Sequence, residues 1–597
     1  MKNIHLIFVQ ASLVILTLFL FSCSSGGGEG IANSKKLGDK NVVIHDLADA
    51  DGMNPVTSSS ANATYIQNNI FQGLLGIDFI TLKTYGQLAV DRPLIEEISD
   101  GEYAGGMKLT YEIRPEAMWD NGTPVLASDY IFTIKAVKNP KTSCGSLRPY
   151  LEFIDDIQID PQNPKKFSIY SKEKYILAEE FSGTTVMPEY IYDPTGIMKG
   201  FTVKELNDKK NATRLMSDKK IDEFAQSFNA PKHAREKGFV VGSGPYEFVE
   251  WATGQFVILQ KKKDWWGDKV GGNLVGKPDK LTYKIVNDWT TAVTALKGED
   301  LDVAHAIRPN DFLELKKNQK FNELFNISTP DELSYIYLGL NRRNPRLSDV
   351  KVRKALAHLV DKDEIIETLL YDMGVKVNGP VNPIKPYYNN NTPQIPYDVD
   401  KAKQLLKEAG WEDTDGNGIA DKIVNGEKLE MTLQFKYNSG NDTRKNIGIL
   451  LKENAKRAGV EIEVIAREWT VFLEDTKKRD YDIFCAGWVQ SPILDDFKQI
   501  WHTSSDHPDG DNRVGFGNAE SDKLIDDLRA TLDENERNKM YHRFQELITE
   551  DQPYIFLYSP KNRLTIHARF ENAEPSMNRP GFEQKAFTLK QNWLAEN

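Results

Sequence analysis

The sequence predicts an α/β protein of several domains, and three observations carry that reading. The chain is 597 residues long, far beyond what one hydrophobic core organises, so two to four domains are expected. Short strand-forming runs alternate along it with amphipathic helices that open on Asp or Ser. Its composition is that of an ordinary water-facing globular chain: 40% hydrophobic, 27% charged, mean hydropathy −0.49.

Lys and Arg number 75 against 87 Asp and Glu, a net charge of −12. Phosphate backbones need a basic surface, so nucleic acid is excluded as a partner. The N-terminus is a targeting signal. Met1-Lys2 gives a positive start, Leu6 to Phe21 is apolar apart from Gln10, Ser12 and Thr17, and Ser22 precedes Cys23. A cysteine at that place, followed by Ser24-Ser25-Gly26-Gly27-Gly28-Glu29-Gly30, resembles a bacterial lipoprotein box, with Phe21 where a small or aliphatic residue is usual. Residues 1–22 are thus expected to be a lipoprotein signal peptide, Cys23 the lipidated residue and 23–40 a flexible tether. Acyl chains contribute about 0.8 kcal/mol per buried CH2, enough in combination to hold the body at a membrane. No second apolar run is long enough to span a bilayer. Cys144 and Cys485 read as small buried hydrophobes, and spacing alone leaves a disulfide between them open.

Along the mature chain, Asn41 to His45 reads as a strand, and Ile66, Ile70 and Phe71 recur at helical spacing before Gly73. Leu109 to Pro115 is a strand, Trp119 to Pro124 a turn, and Ser128-Asp129 the cap of a helix carrying Tyr130, Ile131, Ile134 and Val137. Phe153 to Tyr170 reads as a hairpin. Residues 199–238 are charged and helical in character. Gly242-Ser243-Gly244 opens a strand pair, 246–251 and 255–261; it lacks the G-x-S-x-G pattern of a nucleophile elbow and reads as a tight turn. Ser334 to Leu340 alternates as a strand, and Ser348-Asp349 caps a helix with Val352, Ala355, Leu356, Leu359 and Val360 on one face. Asp400 is expected to cap a further helix ended by Gly410. Then come a strand (429–437), a helix (444–458), a strand (460–465), and, near the end, a helix (534–550) and a strand (554–558).

Two stretches suggest chemistry. Asp413-Thr414-Asp415-Gly416-Asn417-Gly418 with Asp421 places Asp413, Asp415, Asn417 and Asp421 at calcium-loop positions one, three, five and nine. Position twelve is Val424, where a bidentate Glu is wanted, and an Asx-Gly turn needing no metal is the alternative. The second stretch, Asp480 to Val489, is a mostly apolar strand ending in Gly487-Trp488 and stopped by Gln490-Ser491-Pro492. Glycine exposes backbone groups to a ligand, and the indole offers a flat apolar wall.

Several of these segments together resemble the family 5 extracellular solute-binding proteins, the group with the dipeptide- and oligopeptide-binding receptors of ABC importers. The resemblance rests on Asn54-Pro55 with Ile70-Phe71-Gln72-Gly73-Leu74, on Tyr111 to Asp129, on Gly242-Ser243-Gly244-Pro245-Tyr246 through Trp265-Trp266-Gly267, and on Leu338-Gly339-Leu340-Asn341 with Asp349 to Leu356. Order and spacing hold from about residue 41 to 565. The resemblance implies a periplasmic-binding-protein-like (type II, cluster C) fold. Lobe I would comprise 41–62, 185–325 and 555–597, an inserted extra domain 63–184, and lobe III 326–554. The lobes close on ligand by hinge motion. It further implies a monomeric, non-enzymatic receptor of the bacterial cell envelope, facing the periplasm or exterior, that delivers peptide to a permease and ATPase complex and needs no cofactor.

In relatives that bind peptides, main-chain groups on two elements hold the ligand as an added strand. One such element matches Cys485, Ala486, Gly487, Trp488 and Val489 here, and the other matches Ser59, Ser60 and Ala61. Peptide receptors also place an aspartate four residues after the Gly of the Gly-Trp pair, to hold the ligand's ammonium. That position is Ser491 here, and a neutral hydroxyl does not replace a desolvated carboxylate. Asp495 and Asp496 follow as substitutes if the loop is rearranged, and an oligosaccharide or a metal chelate is the rival ligand. A secreted hydrolase is the reading from another class. Nine scattered histidines show no HExxH spacing, and no carboxylate pair stands out, so catalysis is not expected.

Overall fold

A computed structural model describes residues 34–594 apart from 59, 145, 146, 425, 508 and 509. The expected signal peptide, Cys23 and Ser59 lie outside the described residues. No helix among the described residues is long and apolar enough to cross a membrane.

Two mixed sheets organise the chain. The first runs, edge to edge, Phe325–Ser328, Leu564–His567, Val303–Ala304, Val42–Asp46, Lys280–Ile285, Phe256–Lys261 and Tyr246–Ala252. Val42–Asp46 lies at its centre, parallel to both neighbours, and opens on the apolar run Val42-Val43-Ile44. The second sheet runs Gly374–Lys376, Tyr554–Pro560, Ser334–Leu340, Ile483–Val489, Thr432–Asn438 and Glu461–Arg467. Its last two strands are parallel and joined by the helix Asp442–Lys456, which buries Ile447, Leu451 and Ala455 at helical spacing. A third, antiparallel sheet (Leu94–Glu97, Met107–Glu112, Asn163–Ser171, Asp156–Asp160) belongs to the inserted domain. Its core is continuous with that of the first sheet.

Strand pairing moves the domain boundaries expected from sequence. Phe325–Ser328 pairs with Leu564–His567 in the first sheet, so the crossing to lobe III falls after Ser328, not at 326. Tyr554–Pro560 pairs with Ser334–Leu340 in the second, so the return crossing falls after Pro560, not at 554. The inserted domain also reaches past 184. Lys138 Nζ donates to Asn207 Oδ1 at 2.5 Å, Asn139 Nδ2 donates to the Ile221 carbonyl at 3.1 Å, and Phe132 packs edge-on against Phe224. Residues 34–40 are not a free tether: Lys36 lies 3.4 Å from Asp302, and the Gly38 N–H donates to the Trp593 carbonyl at 2.9 Å.

The sequence signatures have plain structural causes. Trp119 Nε1 donates to Asp129 Oδ2 at 3.1 Å, and the same carboxylate oxygen accepts from the Leu126 N–H at 2.9 Å. Asp129 therefore caps the Leu126 N–H from inside the helix Ala127–Lys138 rather than preceding it. The Ser243 carbonyl accepts from both Trp265 Nε1 (2.8 Å) and Trp266 Nε1 (3.0 Å), which fixes the turn that was read as such. Asn341 Nδ2 donates to the Tyr481 and Arg479 carbonyls at 3.0 and 3.2 Å, anchoring the entry to strand Ile483–Val489.

Candidate functional site in the cleft between the lobes

Strand Ile483–Val489 is paired along its whole length with Ser334–Leu340 on one side. On the other it meets Thr432–Asn438 only at Ile483 and Phe484. The Asp482 carbonyl and the Gln490 N–H both bond toward the Ser334–Leu340 side. Backbone direction alternates along a strand, so the main-chain groups of Gly487 and Val489 face the open edge. A Cβ at Gly487 would meet Ile336 Cδ1 at 2.7 Å and the Tyr335 carbonyl oxygen at 3.2 Å, so a larger residue needs the Ile336 side chain to move. Val489 is 58% exposed. Arg444 stands beside this edge, one guanidinium nitrogen 3.7 Å from where that Cβ would lie.

Side chains alternate between two cores. Ile483 and Cys485 enter one; Phe484, Ala486 and Trp488 pack on an aromatic cluster with Tyr335, Tyr337 and Tyr554. Trp488 is half-buried against this cluster, its indole nitrogen without a hydrogen-bond partner among the described residues, so packing claims much of the wall that the sequence assigned to a ligand. Cys485 is wholly buried, and desolvation pushes its thiol up to about 11, which makes it an inert hydrophobe. Cys144 is buried too, and both cysteines are free.

The second expected ligand element is not a strand. Ser60 is the N-cap of helix Ala61–Ile70, its Oγ accepting from the Ala63 N–H at 3.2 Å, and Ala61 is that helix's first residue. The N-cap hydroxyl satisfies one of the helix's orphan N–H groups.

Neither aspartate proposed to stand in at Ser491 is free to do so. Asp495 is buried, accepts from Tyr387 Oη at 3.0 Å, and has its own carbonyl taken by Tyr541 Oη at 2.6 Å. Burial raises its pKa. Asp496 pairs with Arg529 Nε at 3.0 Å and accepts from Tyr175 Oη of the inserted domain at 3.1 Å. Further contacts cross the same seam: Tyr150 Oη donates to Gln499 Oε1 at 2.8 Å, and the Ile176 N–H donates to the Arg529 carbonyl at 2.8 Å.

Ser491 meets a carboxylate from the opposite lobe. Its Oγ donates to Glu180 Oε1 at 3.0 Å. Glu180 Oε2 is buried with no hydrogen-bond partner among the described residues. Desolvation pushes Glu180 up to about 7, opposed by the Ser491 hydrogen bond and the Lys385 charge. Lys385 is itself committed, its Nζ donating to the Ser491 carbonyl and, at 3.0 Å, to the Ile493 carbonyl.

Glu180 borders a cavity of about 470 Å³, within the range of small-ligand sites. Helix Ala61–Ile70 contributes Thr64, Tyr65 and Asn68, the C-terminal region Arg579 and Phe582, and lobe III Ile493. Close to Tyr65 lie Asp46, pushed up to about 7 by burial alone, and His305, pushed down to about 3. Of the expected site residues none lines this cavity directly; Ser491 touches it through Glu180. Sequence reasoning missed Glu180, Tyr65 and Arg579, because nothing in Ala178-Glu179-Glu180-Phe181 differs from an ordinary surface helix.

The expected calcium loop is geometrically compact, with ligand oxygens of Asp413, Asp415 and Asp421 within 4.8 Å of one another. Lys428 Nζ already lies 2.7 Å from Asp415 and 3.3 Å from Asp421. Asp413 accepts the N–H groups of Gly416, Asn417 and Gly418. Asn417 Nδ2 donates to Glu430. The charge of the loop is thus met largely from within the chain.

The family model for bacterial extracellular solute-binding proteins, family 5 Middle, matches residues 97–510. The oligopeptide-binding protein AppA of Bacillus subtilis is 29% identical over 594 residues, covering 98% of each chain. The structure of that protein from Bacillus subtilis with a nonapeptide superposes with a TM-score of 0.71 at 26% identity, over 92% of this chain and 99% of the other. NikZ from Campylobacter jejuni, solved with Ni(L-His), gives a TM-score of 0.70 at 24% identity over 89% and 95%, a likeness of fold alone. With the two-lobed fold, the inserted domain and the matched region in agreement, the chain belongs to the family 5 bacterial extracellular solute-binding proteins.

Proposed function

We propose that this protein is the peptide-capturing receptor of an ABC importer. The observation that carries this is the open edge of strand Ile483–Val489, where Gly487 and Val489 turn their main-chain groups toward the cleft side while the opposite edge is fully paired. An extended peptide completes such an edge with backbone hydrogen bonds. Each nets about 0.5–1.5 kcal/mol, so several together with lobe closure are needed for tight capture. The contacts across the seam at Tyr150, Tyr175 and Glu180 support closure of the inserted domain onto lobe III. The peptide ligands named for AppA support the same reading.

The receptor acts as a monomer, held to a bacterial envelope membrane through lipidated Cys23 and facing the periplasm or exterior, where it hands ligand to a permease and ATPase. Mass spectrometry of the membrane-extracted protein tests the anchor, with Cys23 expected as an acylated N-terminus. Function is tested by mass spectrometry of what co-purifies with the leaderless protein. Short peptides are expected; a glycan or a metal chelate in their place would defeat the peptide reading.

A further inference from the structure

We infer that Glu180, carried by the inserted domain, holds the ammonium group of the bound ligand, and that Ser491 positions it. This deepens the peptide reading and rests on it. Three observations bear on it. One carboxylate oxygen, Oε1, is pinned by the Ser491 hydroxyl at 3.0 Å. The other, Oε2, is buried without a partner among the described residues, and buried polar atoms in folded proteins are almost always paired. The side chain borders the cleft cavity, which also exposes the cation Arg579.

Among the described residues no cation forms an ion pair with Glu180. The Lys385 charge opposes its raised pKa, but its ammonium donates to the Ser491 and Ile493 carbonyls rather than to the carboxylate. Asp495 adds a second negative charge on the same side. The missing counter-charge is therefore left to the ligand, and a primary ammonium suits a single free carboxylate oxygen. The carboxylate that peptide receptors carry at the position of Ser491 is thus supplied from across the cleft, and it reaches the ligand only when the two lobes meet.

Binding has a proton balance. Near neutral pH part of the population carries Glu180 protonated. An arriving ammonium keeps its proton and favours the carboxylate, so the carboxyl proton leaves to solvent.

The test uses two pools of random pentapeptides, one with free N-termini and one N-acetylated, with titration calorimetry at pH 7 in two buffers of different ionisation enthalpy. The wild-type protein is expected to bind the free-amine pool at least tenfold more tightly than the acetylated pool, with proton release. Glu180→Gln is expected to lose about 10–100-fold in affinity for the free-amine pool, as removal of a charge-assisted hydrogen bond does, and to release no proton. The double variant E180Q/S491D, which returns the carboxylate to lobe III, is expected to recover most of the affinity, which a merely structural role for Glu180 would not produce. Equal binding of both pools by the wild type, or E180Q binding like the wild type, would overturn the assignment and leave the peptide reading standing. A wild type that binds neither pool would overturn both.

Discussion

Two carboxylates, Asp302 and Glu180, stand in opposite environments in this protein. Asp302 is fully buried and fully met: Arg569, equally buried, donates Nη1 to Oδ1 at 2.6 Å and Nη2 to Oδ2 at 2.9 Å, and the Val43 N–H donates to Oδ2 at 2.8 Å. Arg569 Nη2 also reaches the Asn41 carbonyl at 2.7 Å. The pair ties the first strand of lobe I to the C-terminal part of the chain, and neither residue lines the cavity beside Glu180. Glu180 is met on one oxygen and unpaired on the other, and it borders a cavity. A buried charge with every lone pair answered is at rest in the fold; one left half answered carries an unmet desolvation cost, which the proposed ligand ammonium would meet.

Breaking the satisfied site should have the largest effect. Arg569→Met leaves Asp302 charged and buried with its main partner gone, which costs about 3–5 kcal/mol. The urea midpoint is expected to fall accordingly, while ligand affinity measured well below the transition stays unchanged. A loss under about 1 kcal/mol would mean that Asp302 is neutral or hydrated, and the contrast with Glu180 would collapse.

The half-answered site should respond in the opposite sense, and pH exposes it. The Glu180 pKa is raised from 4.5 to about 7 in the folded protein. Between those values the folded state binds more protons than the unfolded one, so stability from this group falls as pH rises. Glutamine has no such dependence. The melting temperature of Glu180→Gln relative to wild type is therefore expected to rise from pH 5 to pH 8 in the absence of ligand, by the equivalent of at most about 2.5 kcal/mol. The difference between variants is the quantity to measure, because other groups titrate in the wild type. Asp46, also raised to about 7, acts in the same direction. His233, His305 and His567, lowered to about 4, 3 and 4, lose stability as pH falls below 6.5 and so oppose it. The groups facing Glu180 itself are Ser491, Lys385 and Asp495, and all remain in both proteins. A flat difference across that range would place Glu180 in the same class as a solvated surface acid.

The contrast also marks what a sequence can disclose. Strands and helices defined by local pattern were legible. Ile483–Val489 lies within the run read as a strand, the helix Val350–His358 opens on Asp349, and Tyr246–Ala252 follows the glycine turn. Caps were less so. Helix Val399–Glu408 is capped by Asp398, not Asp400, because either aspartate satisfies the pattern and only the N-cap backbone angles decide. Of the open strand edge, the glycine was visible but its packing was not: the Ile336 side chain of a neighbouring strand lies against it. The Glu180–Ser491 bond joins residues 311 apart in sequence. Such a contact has no local signature, and the sequence does not separate Asp495 from Asp496 as substitutes near Ser491, whereas in the fold Tyr387 and Arg529 occupy them.

The smallest expected effect sharpens the division of labour within the cleft. Specific charge at Glu180 and sequence-blind backbone pairing at the open edge make separable demands. The Val489 N–H faces that edge, so Val489→Pro removes one donor to the ligand without removing a ladder bond to Ser334–Leu340. One backbone hydrogen bond is worth about 0.5–1.5 kcal/mol, which corresponds to an affinity loss of roughly 2–12-fold at room temperature. The loss is expected for free-amine and acetylated peptides alike, and it should add to that of Glu180→Gln in the double variant, since the two groups hold different parts of the ligand. Calorimetric titration of the four proteins with one defined pentapeptide settles the point. Strong non-additivity would show that strand pairing and ammonium capture form one cooperative step, with lobe closure bringing Glu180 to a ligand already laid on the edge.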